Sequence, residues 1–169
     1  RGQESAGIAV NKEGKIQYYK EMGLVQEVFN DEIIGRLQGD IAIGHVRYST
    51  TGESHAINAM PLVVYHKGGS LALAHNGNLI NAEQLREEMQ DRGVIFQTSI
   101  DSEIIAALIA RFIRDNTIEE SIVKTLELVK GAYALVITSG DKLIGVRDPS
   151  GIRPLCIGRT KEGDRKSVV

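Results

Sequence analysis

The chain has 169 residues, of which 42% are hydrophobic and 25% are charged, and its formal net charge at pH 7 is −2. These values indicate one globular domain and give no electrostatic reason to expect binding to nucleic acid or to an anionic membrane. No apolar run reaches the length of a membrane span, and a single cysteine can form no internal disulfide, so we expect a reducing compartment, the cytoplasm.

The patterns along the chain predict strands first, helices in the middle and strands again at the end. Alternating or apolar runs predict strands at residues 6–10, 16–19, 41–47, 70–75, 132–137, 143–146 and 155–158. Apolar residues at helical spacing predict helices that follow Asn81, Asp101 and Thr117. We therefore expect an α+β fold in which a helix pair packs on antiparallel sheets.

Local signals mark several turns and caps between these elements. Residues 11–14 predict a hairpin turn, and Asp148-Pro149-Ser150-Gly151 predicts a type I turn. Asn81 with Gln84, and Thr117 with Glu120, have the spacing of helix-capping pairs.

Arg47 lies at the end of a predicted strand and precedes a run of small and hydroxylated residues. A guanidinium in this position can bind a carboxylate through two parallel hydrogen bonds, and Thr50 or Thr51 can add donors. The alternative is a structural ion pair at a strand end, and the local sequence does not decide between the two.

Asn76-Gly77 follows another predicted strand. Asn-Gly is a common two-residue hairpin turn, which is the structural interpretation. The helix predicted after it weakens that interpretation, because a hairpin needs a strand there. An asparagine amide beside a glycine N–H is also a pair of donors that suits an oxyanion hole.

Asp101 stands at the start of the most regular helical pattern. Aspartate is common there because it caps the first turn and complements the helix dipole. Its carboxylate can also receive the ammonium group of a ligand, so both interpretations stay open.

The remaining reactive side chains give weaker signals. The four histidines, at positions 45, 55, 66 and 75, lack metal-binding spacing, and we expect His45 and His75 to be structural groups with satisfied hydrogen bonds. Cys156 lies in an apolar strand pattern, which predicts a buried, inert thiol. Arg147 and Arg153 flank the proline turn, and bracing that turn is their simplest role.

Five segments, taken in order, resemble class II glutamine amidotransferase domains: residues 1–8, 44–52, 74–78, 101–103 and 147–155. The Arg-Gly-Gln-Glu opening, His-Val-Arg-Tyr at 45–48 and the sequence at 147–155 are most similar to the glutaminase branch of the amidophosphoribosyltransferases (glutamine phosphoribosylpyrophosphate amidotransferases) of purine synthesis. They are less similar to the glucosamine-6-phosphate synthase branch. The resemblance covers nearly the whole chain.

The resemblance implies a four-layer αββα sandwich of the N-terminal-nucleophile hydrolase type. It implies that the α-carboxylate of L-glutamine binds Arg47, with help from Thr50, and that its α-ammonium binds Asp101. Asn76 and the N–H of Gly77 would stabilise the oxyanion formed when the side-chain amide is attacked. Arg1 would help to position the nucleophile, and the domain would hold no metal and no cofactor.

In the family that the chain resembles, the nucleophile is the thiol of an N-terminal cysteine whose own α-amino group acts as the base. Position 1 is arginine, and Cys156 matches a strand position. We therefore expect residues 1–169 to be a single type-2 glutamine amidotransferase domain without its N-terminal segment, which would carry the first strand and helix. The phosphoribosyltransferase domain would follow residue 169. As written, this chain is expected not to hydrolyse glutamine.

Three functions stay open on the sequence alone. The parent protein would be a homo-oligomeric enzyme that supplies ammonia from glutamine to phosphoribosylpyrophosphate and makes 5-phosphoribosylamine. Alternatively, the chain binds glutamine without turnover, as an inactive fragment or pseudo-enzyme. The third possibility is the glutaminase domain of a related amidotransferase such as glucosamine-6-phosphate synthase.

Overall fold

The computed structural model describes residues 4–48, 55–160 and 163–168, with side chains described up to residue 158. The strands are β1 (Ser5–Lys12), β2 (Lys15–Met22), β3 (Ile41–Arg47), β4 (Leu62–His66), β5 (Gly69–Leu79), β6 (Gly131–Ser139), β7 (Lys142–Arg147), β8 (Leu155–Thr160) and β9 (Gly163–Val168). The helices are α1 (Val25–Val28), α2 (Asp31–Arg36), α3 (Ala82–Gln90), α4 (Ser102–Phe112) and α5 (Ile118–Leu126), with a short 3₁₀ helix at Ala56–Asn58.

The strand β1 is the centre of a three-stranded antiparallel sheet in the order β2-β1-β3. Its hairpin with β2 pairs Lys12 with Lys15, so Glu13 and Gly14 form the turn, with φ angles of 52° and 79°. A two-residue turn with positive φ at both positions matches the twist of hairpin strands. The hairpin predicted from the sequence is therefore confirmed.

The strands β5 and β6 form the centre of a four-stranded antiparallel sheet in the order β4-β5-β6-β7. They pair continuously from Leu71 opposite Ser139 to Leu79 opposite Gly131. Helices α3, α4 and α5 lie between these two strands in the sequence and pack on one face of the sheet. This packing forms the larger core, in which Ile105, Ile109 and Leu135 are fully buried.

The other face of the four-stranded sheet packs against the three-stranded sheet. The side chains in this contact are small or branched: Ala9, Ile43, Ala72, Ala74 and Val136. Because side chains alternate along a strand, Leu73 of β5 faces the helices whereas Ala74 faces the other sheet. The strand β5 therefore contributes to both layers, which matters for the site described below.

The predicted α+β class and the layered sandwich are confirmed, but the sequence patterns differ from the structure in detail. Three helices, α3 to α5, cover the four-stranded sheet where a pair is expected. The strands β4 and β9 and the short helices α1 and α2 have no counterpart in the sequence predictions. Helix α1 contributes the buried Val28, and the ring of Phe29 just after it lies edge-on to Tyr19 of β2.

The two predicted caps have different outcomes. The box formed by Thr117 and Glu120 is confirmed at the start of α5. Asn81 occupies the N-cap position just before α3, but its side chain makes no capping bond. It instead donates to the carbonyl of Leu128 and accepts from the N–H of Lys130, both at 2.9 Å, and so ties α3 to the segment before β6. The capping role predicted for Asn81 with Gln84 is therefore wrong.

None of the helices in the described parts of the chain combines the length and the apolar character that crossing a bilayer requires.

Candidate functional site

Arg47 is the last residue of β3, where it pairs with Ser5 at the start of β1. Its side chain is only 6% exposed. Arg47 lies four residues after Ile43 on β3. Because side chains alternate along a strand, it shares with Ile43 the face that packs on the four-stranded sheet. The guanidinium therefore belongs to the layer between the two sheets, at one end of the sandwich.

Asn76 and Gly77 lie within β5, opposite Ala134 and Tyr133 of β6. The strand continues to Leu79, so the hairpin interpretation of Asn-Gly is wrong, and so is the predicted strand end at residue 75. Asn76 lies two residues beyond Ala74, on the face of β5 that packs on the three-stranded sheet. Its amide therefore belongs to the same layer as the guanidinium of Arg47.

Gly77 has a structural reason to be glycine. Its φ angle is +155°, and a Cβ at this position would lie 2.1 Å from the carbonyl oxygen of Ala132 and 2.9 Å from Nε2 of His75. No side chain fits between these atoms, because ordinary contacts begin at about 3.4 Å. The close approach of β5 to β6 therefore depends on the missing side chain.

Asp101 precedes α4 without capping it. Its backbone is helical, and its side chain makes no capping hydrogen bond. Instead Oδ2 accepts a hydrogen bond of 2.8 Å from the N–H of Leu79, the last residue of β5. The interpretation of Asp101 as a simple helix cap is therefore wrong, and its carboxylate lies at the end of the strand that carries Asn76.

His75 and Ser102 lie on the other side of the Asp101 carboxylate. The Nδ1 atom of His75 is 2.9 Å from the hydroxyl of Ser102 and 3.5 Å from Oδ1 of Asp101. Burial favours a higher pKa for Asp101, but His75 and the N–H groups of Leu79 and Ser102 outweigh it and lower the pKa below its usual value. The carboxylate is therefore ionised at neutral pH.

His45 links the two sheets. The pKa of His45 falls to about 4, mainly because the ring is buried. A hydrogen bond to the backbone of His75 raises this pKa, while the electrostatic fields of His75 and Arg47 lower it further. Since His45 is neutral at pH 7, the positive charge beside it comes from Arg47. The bond to His75 also fixes a point of contact between β3 and β5. Arg47 lies two residues after His45 on β3, and Asn76 lies one residue after His75 on β5.

These contacts bring three of the predicted groups to one end of the sandwich. A guanidinium, an amide beside a glycine N–H, and an ionised carboxylate there can bind a carboxylate, a developing oxyanion and an ammonium. Asn76, Gly77 and Asp101 are partly exposed, so a ligand can reach them. Arg1 and Thr50 lie outside the described residues, and their predicted roles stay predictions.

Two residues in the neighbourhood carry contacts that the sequence patterns do not indicate. Asn58 is 2% exposed, and its Nδ2 donates to the hydroxyl of Ser99 at 3.0 Å. Met60, two residues after Asn58, has its Sδ 3.7 Å from the hydroxyl of Ser102. Both contacts join residues about forty positions apart in the sequence, so no local pattern indicates them. For His75, however, alternation along β5 already places the ring on the helix side.

The other candidates have mixed outcomes. Nδ1 of His75 has a hydrogen-bond partner, whereas Nε2 of His75 is buried without one. Nδ1 of His45 is also buried without a partner, so the hydrogen bonds expected for these two histidines are only partly made. Cys156 is exposed on β8, a strand that forms a two-stranded sheet with β9 in the described part of the chain, so the predicted burial is wrong. Arg147 donates to the carbonyls of Arg153 and Gly151 and so braces the turn, as predicted. Arg153 contributes its backbone carbonyl to this contact, while Nε of its side chain is buried without a hydrogen-bond partner.

Within the described residues, no group of three or more His, Cys, Asp or Glu side chains is placed to hold a metal ion.

Comparison with known proteins gives consistent matches. Residues 45–168 match the family model described as a glutamine amidotransferase domain. The amidophosphoribosyltransferase of Methanocaldococcus jannaschii is 50% identical over 160 residues, which are 94% of this chain and 34% of that protein. The amidophosphoribosyltransferase of a Synechocystis strain is 49% identical over 171 residues, covering 100% of this chain and 34% of that protein.

A solved structure shows the same fold. The glutamine phosphoribosylpyrophosphate amidotransferase from Bacillus subtilis, complexed with ADP and GMP, superposes with a TM-score of 0.88 at 42% identity. The match covers 96% of this chain and 35% of that one. It supports the sandwich of the N-terminal-nucleophile type that the resemblance implies. The chain spans about a third of the length of the curated relatives that it matches.

Proposed function

Because this chain belongs to the glutamine amidotransferase domain family, we propose that it binds L-glutamine at the end of the sandwich where Arg47, Asn76 and Asp101 meet. The observation that carries this proposal is the position of the Asp101 carboxylate. It does not cap its own helix but bonds the N–H of Leu79 at the end of β5, three residues beyond Asn76 and two beyond Gly77.

The two charged ends of glutamine match the two charges at this end of the sandwich. The guanidinium of Arg47 binds the α-carboxylate through parallel hydrogen bonds, and its buried position strengthens that interaction. Asp101 binds the α-ammonium, since its lowered pKa keeps it anionic at neutral pH. His45 adds no competing charge, because its pKa of about 4 leaves it neutral.

The side-chain amide of the bound glutamine then lies against Asn76 and Gly77. The Asn76 amide and the Gly77 N–H donate hydrogen bonds to the oxygen that becomes negative when the amide carbon is attacked. Both residues lie in the paired strand β5 rather than in a loop, so their backbone positions are set before the ligand binds. The proposal assigns these residues to binding and to charge stabilisation and names no residue of this chain as the attacking group.

For the protein that contains this domain, we propose the reaction for which its relatives are named. Ammonia released from glutamine is passed to phosphoribosylpyrophosphate, and 5-phosphoribosylamine is formed for purine synthesis. We also propose that this protein is a cytoplasmic homo-oligomer. The similarity to amidophosphoribosyltransferases over nearly the whole chain supports the reaction.

Isothermal titration of the chain with L-glutamine tests the binding proposal. We expect saturable binding, and weaker binding by Arg47→Lys, because lysine does not reproduce the planar two-point contact. Arg36→Lys, at an exposed position on α2, is the matched control and should bind like the unchanged chain. Absence of binding by a folded chain, or equal affinity for both variants, would contradict the proposal.

A further inference from the structure

His75 lies between the strand that carries the proposed oxyanion donors and the carboxylate that receives the ammonium. We propose that His75 is a positioning residue, which holds the Asp101 carboxylate in the orientation and at the distance from Asn76 that glutamine requires. The inference rests on the proposed glutamine site and adds a residue that does not itself touch the ligand.

The contacts of Asp101 show what His75 does. The N–H of Leu79 holds Oδ2 at 2.8 Å, which fixes one oxygen but allows the carboxylate to rotate about that bond. His75 stands 3.5 Å from Oδ1, and its Nδ1 is also bonded to the hydroxyl of Ser102, which itself lies 3.5 Å from Oδ1. With both oxygens flanked, the plane of the carboxylate is defined.

The surroundings of the ring set its orientation and leave it little room. Nδ1 faces Asp101 and Ser102, and since an ionised carboxylate only accepts hydrogen bonds, Nδ1 bonds Asp101 directly when it carries a proton. Nε2 points the other way, toward Gly77, where an added Cβ would approach it to 2.9 Å. The ring is 3% exposed. It therefore lies between the Gly77 backbone and the Asp101 carboxylate and fixes their separation.

A purely structural role does not account for a histidine here. On the helix-facing side of β5, Leu73 comes just before His75, and Leu79 follows beyond Gly77; both leucines are buried in the larger core. A leucine at position 75 would continue that pattern. Histidine instead leaves Nε2 buried without a partner, which is unfavourable. The contact of Nδ1 with Asp101 and Ser102 offsets that loss.

The test compares two ligands that differ only in the group that Asp101 receives. L-Glutamine and 4-carbamoylbutanoate share the carboxylate and the side-chain amide, but the second lacks the α-ammonium. We expect His75→Leu to weaken binding of L-glutamine about tenfold and to leave binding of 4-carbamoylbutanoate unchanged. His75→Asn, which can place an N–H near the position of Nδ1, should recover most of the affinity. His66→Leu, on β4, is the matched control and should change neither ligand.

Equal weakening of both ligands by His75→Leu would overturn the inference, because it would indicate general disruption of the site. No change for either ligand would overturn it as well. If His75→Leu does not fold, the smaller His75→Ala removes the same Nδ1 contact, and the same selective loss for L-glutamine is expected.

A second measurement separates this inference from the proposed function. If the unchanged chain binds no L-glutamine, the proposed function fails, and hydrogen exchange of the Leu79 amide then decides the role of His75. We expect that exchange to be faster in His75→Leu, because a mobile carboxylate protects the amide less, while the amide of Leu73 is unaffected. An unchanged rate for Leu79 would overturn the positioning role.

Discussion

Replacing Gly77 with alanine separates the structural need for glycine from its proposed chemistry, and Gly69 on the same strand provides the control. Both residues have positive φ angles, of 155° and 136°. A Cβ at Gly77 would lie 2.1 Å from the carbonyl oxygen of Ala132, whereas a Cβ at Gly69 would have nothing within 4 Å. The backbone strain is therefore similar in the two variants, and only the steric contact differs.

The structure gives the size of the expected difference. Ordinary contact begins at 3.4 Å, so the backbones of β5 and β6 would have to separate by about 1.3 Å to admit a methyl group at Gly77. An alanine with such a φ angle costs about 1–3 kcal/mol at either position. Overpacking at Gly77 adds about 2 kcal/mol, within the range for forced backbone shifts. In a domain of this size, that difference lowers the melting temperature by about 4–8 °C more than Gly69→Ala does.

Urea denaturation, followed by far-ultraviolet circular dichroism, measures the free energy of unfolding. It is applied to the unchanged chain, to Gly69→Ala and to Gly77→Ala. Equal values for the two variants would refute the steric argument. A large loss at Gly77 has a consequence for enzymology, since a Gly77 variant would lose activity whether or not its N–H stabilises an oxyanion. Asn76 is therefore the cleaner residue with which to test that role.

In an active protein that contains this domain, Asn76→Ala should lower kcat for glutamate release by about 10²–10³-fold, which corresponds to about 2.7–4 kcal/mol of lost transition-state stabilisation. An unchanged rate would exclude Asn76 as an oxyanion donor. The pKa of Asp101 is lowered in the folded chain, so its stabilising contribution is present above its unfolded pKa of about 3.9 and is lost as the pH falls through the folded value. The difference in unfolding free energy between the chain and Asp101→Asn should therefore shrink as the pH is lowered from about 5, and a constant difference would contradict this. Thr117→Ala should lower the free energy of unfolding by about 1 kcal/mol through loss of the α5 cap, and no loss would contradict the cap. Urea denaturation measures this against the exposed control Ser150→Ala.

The elements that rest on local patterns are readable from the sequence. Helix α4 appears in the spacing of its apolar residues, because its buried side follows the helical period. The turn at Glu13 and Gly14 appears because the chemistry of a two-residue hairpin is local. The strand β4 goes unpredicted although it contains two adjacent valines, since five residues of mixed polarity give only a short signal.

The features of the site that local reasoning gets wrong depend on distant partners. Asn76-Gly77 has the composition of a hairpin turn, but the strand that pairs with it, β6, arrives more than fifty residues later and keeps the segment extended. Asp101 has the position of a helix cap, but the N–H of Leu79 offers its carboxylate a partner in β5. In both cases a long-range backbone contact decides the outcome, and only the order of motifs along the chain indicated it.

The alternation of side chains along β5 explains how one strand can set the spacing of the site. Asn76 faces the layer between the sheets, whereas His75, one residue earlier, faces α4 and the carboxylate of Asp101. Adjacent residues of a strand are held at a fixed separation, so the distance between the proposed amide and ammonium sites is transmitted through backbone rather than through a flexible loop. A shift of one residue in the pairing of β5 with β6 would exchange the two faces and separate Asn76 from Arg47. The close approach of the strands at Gly77 opposes that shift, because any other residue brought to this position would place a Cβ against the carbonyl of Ala132. The glycine therefore fixes the register on which the geometry of the site depends.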